Sequence, residues 1–205
     1  METAALPVCD IRFEEEPHRY LLRGVAIPSV TQIMEPLSLM LYNGIPADVM
    51  YEAANRGTRV HEQVSNFVKY GIEEIDEDTK PYFQAFQKFQ AEYEPHWAES
   101  EYRTYHKTLR YAGTLDLIGF VEPDDGTGFD VVDLKCTSAY HPVMLATQIA
   151  GYAEALKSHG VLIRRRYGLQ LLRDGNFRFE QVEDGYKTFL HCMAIYNAMA
   201  AERRP

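Results

Sequence analysis

The sequence contains few cysteines and no long apolar run. Its three cysteines, Cys9, Cys136 and Cys192, are odd in number and far apart, which matches neither a disulfide framework nor a CxxC metal site. We therefore expect a reducing compartment and no iron–sulfur cluster. No stretch of about 18 apolar residues occurs, and the first residues lack the basic start and apolar middle of a signal peptide. A soluble, cytoplasmic protein without a membrane partner is the expectation.

Positive charge is also scarce. The formal net charge of -9 argues against non-specific binding to nucleic acid, because polyanion affinity normally comes from lysine and arginine. An enzyme that acts on DNA remains compatible, since divalent cations or a local basic patch can neutralise phosphates. Two segments offer such a patch for DNA binding, although both could be solvated surface charges: Arg103, Lys107 and Arg110, and Arg164, Arg165 and Arg166.

The organisation is that of one domain. A chain of 205 residues that is 46% hydrophobic can bury a substantial core, and no repeat, low-complexity tract or flexible linker divides it. In the N-terminal part, 10–95, periodicity and turn residues predict a hairpin followed by helices. The predicted elements are strands within 10–24, a short helix at 30–35, a helical segment 47–70 interrupted at 55–58, and a helix 79–94 whose aromatic stripe belongs to the core.

The second part, 99–182, alternates strands and helices. The predicted elements are strands 101–105, 111–121 and 129–136, a loop PDDGTG at 123–128, a helix 142–158 and a hairpin of 167–172 and 176–182 around Asp174-Gly175. An amphipathic helix follows at 185–201. The sum predicts the α/β class, with a central mixed sheet flanked by helices.

Polar residues interrupt two apolar strands between residues 113 and 138. Asp116 lies between two leucines, and Asp133 and Lys135 are two apart, so the latter two share one face of a strand. Buried carboxylates are costly unless a cation compensates them, and hard divalent ions take such oxygen ligands. The pattern therefore indicates a metal site with a lysine beside it. The alternative is an Asp133–Lys135 surface ion pair to which Asp116 is unrelated.

Three further residues are weaker candidates. Gln148 and Tyr152 are four apart on the predicted helix and share a face, so they could reach the end of the Asp133 strand. In isolation, a core tyrosine with a glutamine at its rim is the simpler interpretation. His61 borders an apolar stripe, where a histidine is more often hydrogen-bonded than bound to metal.

Taken together, five segments in order resemble the PD-(D/E)XK nucleases, and most closely their RecB-like and phage-type exonuclease branch. They are spread between about residues 10 and 182. These segments are HRYLLRGVAIPSVTQIM, RGTRVHEQV, YAGTLDLIG, VVDLK and QIAGY. The literal Pro-Asp pair is absent, because Leu115 precedes Asp116. The cluster cysteines of the iron–sulfur members have no counterparts.

The resemblance implies a restriction-endonuclease-like fold and a set of roles. Asp116, Asp133, His61 and the main-chain carbonyl of Leu134 would bind Mg²⁺ or Mn²⁺, and Lys135 would position or activate water. Gln148 and Tyr152 would orient the lysine or the DNA strand, and Glu101 looks like the family's additional acidic residue. A recombination or replication protein is the implied partner class, and a phage origin with action in the host cytoplasm is one implied setting.

The leading hypothesis is a metal-dependent deoxyribonuclease, with exonuclease the favoured mode. One rival is a nucleic-acid-binding or assembly module that keeps the fold without cutting, which the acidic net charge motivates. Another is the same chemistry on RNA or on a specific DNA structure, because the residues that attack a phosphodiester do not reveal the sugar. The sequence does not indicate polarity, strand preference or oligomeric state.

Overall fold

The architecture is a central sheet with helices on both faces and a small N-terminal sheet at one side. The computed structural model describes residues 5–73, 76–122, 128–138 and 140–202. Most of the predicted loop PDDGTG, residues 123–127, lies outside these ranges. Within them, no helix combines the length and apolar character that a membrane crossing requires.

The N-terminal part begins with a three-stranded antiparallel sheet in the order β1-β2-β3. Its strands are followed by four helices before the central sheet begins. The elements are β1 (Ile11–Glu14), β2 (Arg19–Leu22), β3 (Val25–Ile27), α1 (Val30–Ile33), α2 (Glu35–Leu41), α3 (Ala47–Tyr70) and α4 (Lys80–Tyr93). Ser29 caps α1 in a capping box with Gln32, as the predicted short helix requires.

The central sheet has five strands in the order β4-β5-β6-β7-β8. All neighbouring strands are antiparallel except β6 and β7, which are parallel and joined through a helix, so the sheet is mixed. The elements are β4 (His96–Tyr105), β5 (Ala112–Phe120), β6 (Phe129–Lys135), α5 (Pro142–Lys157), β7 (Ile163–Leu171), β8 (Phe177–Gln181) and α6 (Tyr186–Glu202). The predicted α/β class is confirmed.

Alternation along β6 separates two cores. Val132 and Leu134 belong to the cluster that packs α3 and α4 against the sheet, whereas Val131 belongs to the cluster beneath α1, α5 and α6. Asp133 and Lys135 alternate with the first pair and therefore face α5. Four of the five aromatic residues of α4 lie in the first core, with Phe83, Phe86 and Phe89 completely buried, whereas Tyr93 at the end of the helix is exposed.

The predicted interruption at residues 55–58 is wrong, because α3 runs without a break from Ala47 to Tyr70. The Thr58 hydroxyl donates to the Ala54 carbonyl inside the helix instead of capping a new one. Gly57 remains helical, and a Cβ atom at this position would contact no other atom within 4 Å. Burial of Val60 and Val64 supplies the tertiary packing that outweighs the weak local propensity.

A buried ion pair joins the starts of β6 and β7. Asp130 is fully buried and accepts two hydrogen bonds from the Arg164 guanidinium, at 3.0 and 2.5 Å. Its Oδ2 also accepts from the Val121 amide at the end of β5, at 2.9 Å. One carboxylate therefore links three adjacent strands at the end of the sheet opposite to Lys135.

Replacing this carboxylate should weaken the fold. Asp130→Asn removes the charge that compensates the buried Arg164, and breaking such a pair typically costs about 3–5 kcal/mol. Urea unfolding measures the loss. The matched control is Asp184→Asn, because Asp184 pairs with Arg166 at an exposed position and should matter much less. Equal stability changes in the two variants would contradict this role of Asp130.

Candidate active site

Three metal-ligating side chains from different elements meet at the middle of β4 and β5. His61 on α3 places its Nδ1 atom 3.2 Å from an Asp116 oxygen and 3.8 Å from a Glu101 oxygen. One ligand atom from each of the three residues lies within 4.8 Å of the others. The cluster depends on strand register, because Ser100 and Tyr102 pair with Leu117 and Leu115 and so bring Glu101 opposite Asp116.

Asp116 lies where β5 and β6 separate. The ladder between the two strands ends at the Leu117–Val132 pair, one position before Asp116 and Asp133 would face each other. The Leu134 amide, which has no ladder partner on β5, donates to Asp116 Oδ2 at 2.6 Å. This bond fixes the carboxylate while its second oxygen faces His61.

A chain of polar contacts leads from β6 to α5. The Lys135 ammonium lies 2.7 Å from Asp133 Oδ2 and donates to Gln148 Oε1 at 2.9 Å. The Gln148 amide in turn donates to the Tyr152 hydroxyl at 3.1 Å. Residues 148 and 152 are one helical turn apart, so α5 presents both on the face that covers β6.

The Tyr152 ring packs directly on a glycine of β5. A Cβ atom at Gly113 would lie 2.4 Å from Tyr152 Cε1, a distance that real side chains do not tolerate. Gly113 therefore allows the ring to approach the strand that carries Asp116. The close contact holds the Tyr152 end of the polar chain in place.

The local field keeps this site charged. Burial alone would lower the pKa of His61, but the adjacent Asp116 carboxylate raises that pKa well above its ordinary value. Burial would raise the pKa of Asp116, yet His61 and Lys135 hold it below its ordinary value. Burial would likewise lower the pKa of Lys135, but Asp133 and Asp116 raise it, with a smaller contribution from Tyr42.

Asp133 lacks full compensation. It is 2% exposed, and burial raises the pKa of its carboxyl to about 6. Within the described part of the chain, neither of its oxygens has a hydrogen-bond donor. The Lys135 contact has the distance of an ion pair but not the direction of a hydrogen bond. Buried carboxylate oxygens without donors, close to an imidazole and further carboxylates, fit a divalent cation of the Mg²⁺ or Mn²⁺ type.

The sequence-predicted site residues are largely brought together. His61, Asp116 and Glu101 form the ligand cluster, and Lys135, Gln148 and Tyr152 form the polar chain next to it. Asp133 contacts Lys135 and is not one of the three clustered residues, and its ligand role beside Asp116 stays a prediction. Leu134 contributes its amide to Asp116. Its predicted carbonyl role stays a prediction.

The arginines of β7 do not form the predicted free basic patch. Arg164 is 6% exposed and bound to Asp130, which removes it from the set of candidate DNA contacts. Arg165 pairs with Glu122 and Arg166 with Asp184, so carboxylates neutralise both. They also lie at the start of β7, at the end of the sheet opposite to Lys135. Glu122 lies in the β5–β6 connection and Asp184 in the β8–α6 connection. Strand periodicity does not predict ion pairs with residues in such connections.

The other basic group stays a prediction. Arg103 lies on β4 two residues after Glu101, and its guanidinium is 5.2 Å from the centre of the Phe13 ring. Lys107 and Arg110 follow in the β4–β5 turn, several residues before Asp116 at the middle of β5. Within the described ranges, none of these three side chains has an ion pair.

Sequence reasoning missed Tyr42. This residue follows α2, and its ring stands edge-on to the His141 ring, with the two ring centres 5.0 Å apart. His141 is the N-cap of α5, so the aromatic pair lies beside the start of the helix that carries Gln148. A tyrosine directly before Asn43-Gly44 gives no periodic signal, and only the tertiary fold brings it to the site.

Comparison with known proteins bears on the fold. No family model matches the sequence, and no curated protein matches it. The fold is similar to that of a candidate exonuclease from Eubacterium rectale, at 13% identity over 82% of this chain and 77% of that chain, with a TM-score of 0.53. An alkaline exonuclease from Laribacter hongkongensis has 11% identity over 85% of this chain and 86% of that chain, with a TM-score of 0.46. The first likeness shows a shared fold.

Glu101 should reveal backbone strain. Its φ of 48° lies in the left-handed region, which costs a residue with a side chain roughly 1–2 kcal/mol. Glu101→Gly should therefore be more stable than Glu101→Ala by about 1 kcal/mol in urea unfolding without metal. The matched control is Glu99 on the same strand, where alanine should be the more stable of the two. If the alanine variant were the more stable one at both positions, the backbone at Glu101 would be unstrained.

Metal ions should stabilise the folded protein through the ligand cluster. At about 100 times its dissociation constant, an ion that binds the folded state alone adds about 2.7 kcal/mol. We expect Mg²⁺ or Mn²⁺ to raise the melting temperature and EDTA to reverse the rise. Asp116→Asn should abolish the shift, whereas Asp10→Asn, at an exposed carboxylate near β1, should retain it. A shift that survives in Asp116→Asn would place the ion elsewhere.

Proposed function

We propose that this protein is a metal-dependent nuclease that hydrolyses DNA phosphodiester bonds, with Asp116, Asp133 and Lys135 at the centre of its active site. The observation that carries the proposal is a partly buried ammonium group beside a cluster of candidate metal ligands. Lys135 is held between Asp133 and Gln148, next to His61, Glu101 and Asp116. A structural ion pair alone would not explain the adjacent ligand cluster.

The ligand set supports a divalent cation as cofactor. His61, Glu101 and Asp116 would hold Mg²⁺ or Mn²⁺, with Asp133 able to contribute from β6. When bound, such an ion polarises the phosphate and lowers the pKa of a coordinated water. The Asp116 carboxylate suits this role because the Leu134 amide fixes one of its oxygens and leaves the other facing His61.

Lys135 supplies positive charge where negative charge develops. In phosphodiester hydrolysis a water oxygen attacks phosphorus, the bond to one sugar oxygen breaks, and charge accumulates on the phosphate oxygens. Asp133 keeps the ammonium protonated, and Gln148 restricts its position by accepting a hydrogen bond from it. Tyr152 orients the Gln148 amide in turn. Preorganised hydrogen-bond donors and charges of this kind account for most of the transition-state stabilisation in many enzymes.

Exonuclease action on DNA is the proposed mode. The fold likeness to a candidate exonuclease from Eubacterium rectale supports this choice over internal cleavage. A recombination or replication protein is the proposed partner class. The rival is a nucleic-acid-binding or assembly module that keeps the fold without cutting, and the net charge of -9 favours the assembly role within that alternative. An uncleaved substrate that nevertheless binds would favour that rival.

Removal of the ammonium group should abolish cleavage without unfolding the protein. Loss of one preorganised donor typically lowers kcat by about 10²–10³, and we expect at least this loss for Lys135→Ala on end-labelled DNA with Mg²⁺ or Mn²⁺. The matched control is Lys157→Ala, since Lys157 is an exposed residue of α5 that pairs with Glu154. Circular dichroism checks that both variants are folded.

Two results would contradict the proposal. One is cleavage by Lys135→Ala at the rate of the Lys157→Ala control. The other is a wild-type protein that degrades neither single- nor double-stranded DNA with either ion. Product lengths over time distinguish removal of nucleotides from an end from internal cuts, and a matched RNA oligonucleotide tests the sugar specificity.

A further inference from the structure

A cleft of about 480 Å³ opens beside the candidate active site. It lies between the N-terminal half of α3, the start of α4 and the turn that joins β7 to β8. Three arginines dominate the charge of its walls. The lining residues are Glu52, Asn55, Arg56, Arg59, Asp78, Tyr82 and Arg173.

The cleft and the candidate active site share one edge of the sheet. The parallel strands β6 and β7 pair Lys135 with Gln170, and Arg173 follows three residues later at the same end of β7. On the helical side, Arg56 precedes His61 by five residues on α3, which corresponds to about 7.5 Å along the helix axis. The cleft therefore lies at the end of the sheet that carries Lys135.

Two of the three arginines retain uncompensated charge. The Arg56 guanidinium lies over the Tyr82 ring at 5.6 Å, and its buried Nε atom has no hydrogen-bond partner within the described ranges. Arg173 lies on an exposed turn. Neither side chain has an ion pair in the part of the chain that the structure describes.

The third arginine, Arg59, forms ion pairs with neighbouring carboxylates. Arg59 pairs with Asp76, and its second terminal nitrogen lies 3.6 Å from Asp78. Arg59 thus carries one positive charge against two carboxylates, and the other lining carboxylate, Glu52, is an exposed residue of α3. Arg56, Arg59 and Arg173 face two carboxylates among the lining residues, Glu52 and Asp78, which gives the lining a net charge of +1 in a protein whose net charge is -9.

We propose that Arg56 and Arg173 bind phosphates of a single nucleic-acid strand, next to the segment held at the ligand cluster. The proposal rests on the proposed nuclease function and extends it by naming how the strand continues. Guanidinium groups match phosphate geometry and remain charged at all relevant pH values. The cleft has the volume of a pocket for a small ligand, so it accommodates one or two nucleotides of one strand and not a duplex.

Binding is tested without cleavage. Fluorescence anisotropy of a labelled single-stranded DNA 12-mer in EDTA measures the dissociation constant of the wild-type protein over a range of salt concentrations. Each neutralised phosphate of a single strand contributes about 0.7 to the slope of log K against log salt. Arg173→Gln should reduce that slope by about this amount and weaken binding several-fold at low salt, and Arg56→Gln should act in the same direction.

The control preserves the change in net charge. Arg12→Gln removes an arginine of β1 that is 75% exposed and lies outside the cleft, so it should leave the slope unchanged. Thermal unfolding confirms that each variant is folded, and Arg173, on a turn, is the variant least coupled to the core. A duplex of the same length serves as competitor and should displace the single strand poorly.

The outcomes separate this inference from the proposed function. Equal slopes for Arg173→Gln and Arg12→Gln, tight competition by the duplex, or no binding of the 12-mer by the wild-type protein at low salt would overturn the inference. Cleavage by the wild-type protein together with such a result would leave the nuclease proposal standing. Arginine-dependent binding without cleavage under any metal condition would support the strand contact and contradict the nuclease.

Discussion

The separation of β5 from β6 is the constraint on which the candidate site depends. Where the ladder stops, the Leu134 amide becomes available and donates to the Asp116 carboxylate at 2.6 Å. A continued ladder would have used this donor for a bond to the β5 main chain. One backbone hydrogen bond thus fixes the Asp116 carboxylate, whereas the Asp133 carboxylate has only the Lys135 ammonium beside it.

Around this opening, the helices on the two faces of the sheet contribute different side chains. The α3 side contributes His61, whereas the α5 side contributes Gln148 and Tyr152, and Lys135 connects them at the strand end. Such an arrangement of buried charges stabilises a fold little, because desolvation offsets most of the attraction. Within the described residues, the Asp130–Arg164 pair at the opposite end of β6 is not part of a comparable cluster of candidate metal ligands.

Local patterns predicted the elements well because periodicity and turn residues act over short distances. The alternation that places Asp133 and Lys135 on one face is an example, and so is the capped helix after Ser29. The features that could not be predicted from the sequence depend on contacts between segments that are distant along the chain. The meeting of Glu101 with Asp116 requires the register of β4 on β5, and the pairing of Arg164 with Asp130 requires that of β7 on β6. Gly57-Thr58 has the composition of a helix boundary, and only core packing keeps α3 continuous.

The unbroken α3 has a consequence for how two parts of the molecule communicate. Arg56 and His61 belong to one continuous helix, so a displacement of that helix by a phosphate bound at Arg56 would also move the imidazole of His61. Affinities at two sites that share such an element are thermodynamically linked, and the linkage is reciprocal. Occupation of the cleft and occupation of the ligand cluster by a cation would then each change the affinity of the other by the same factor.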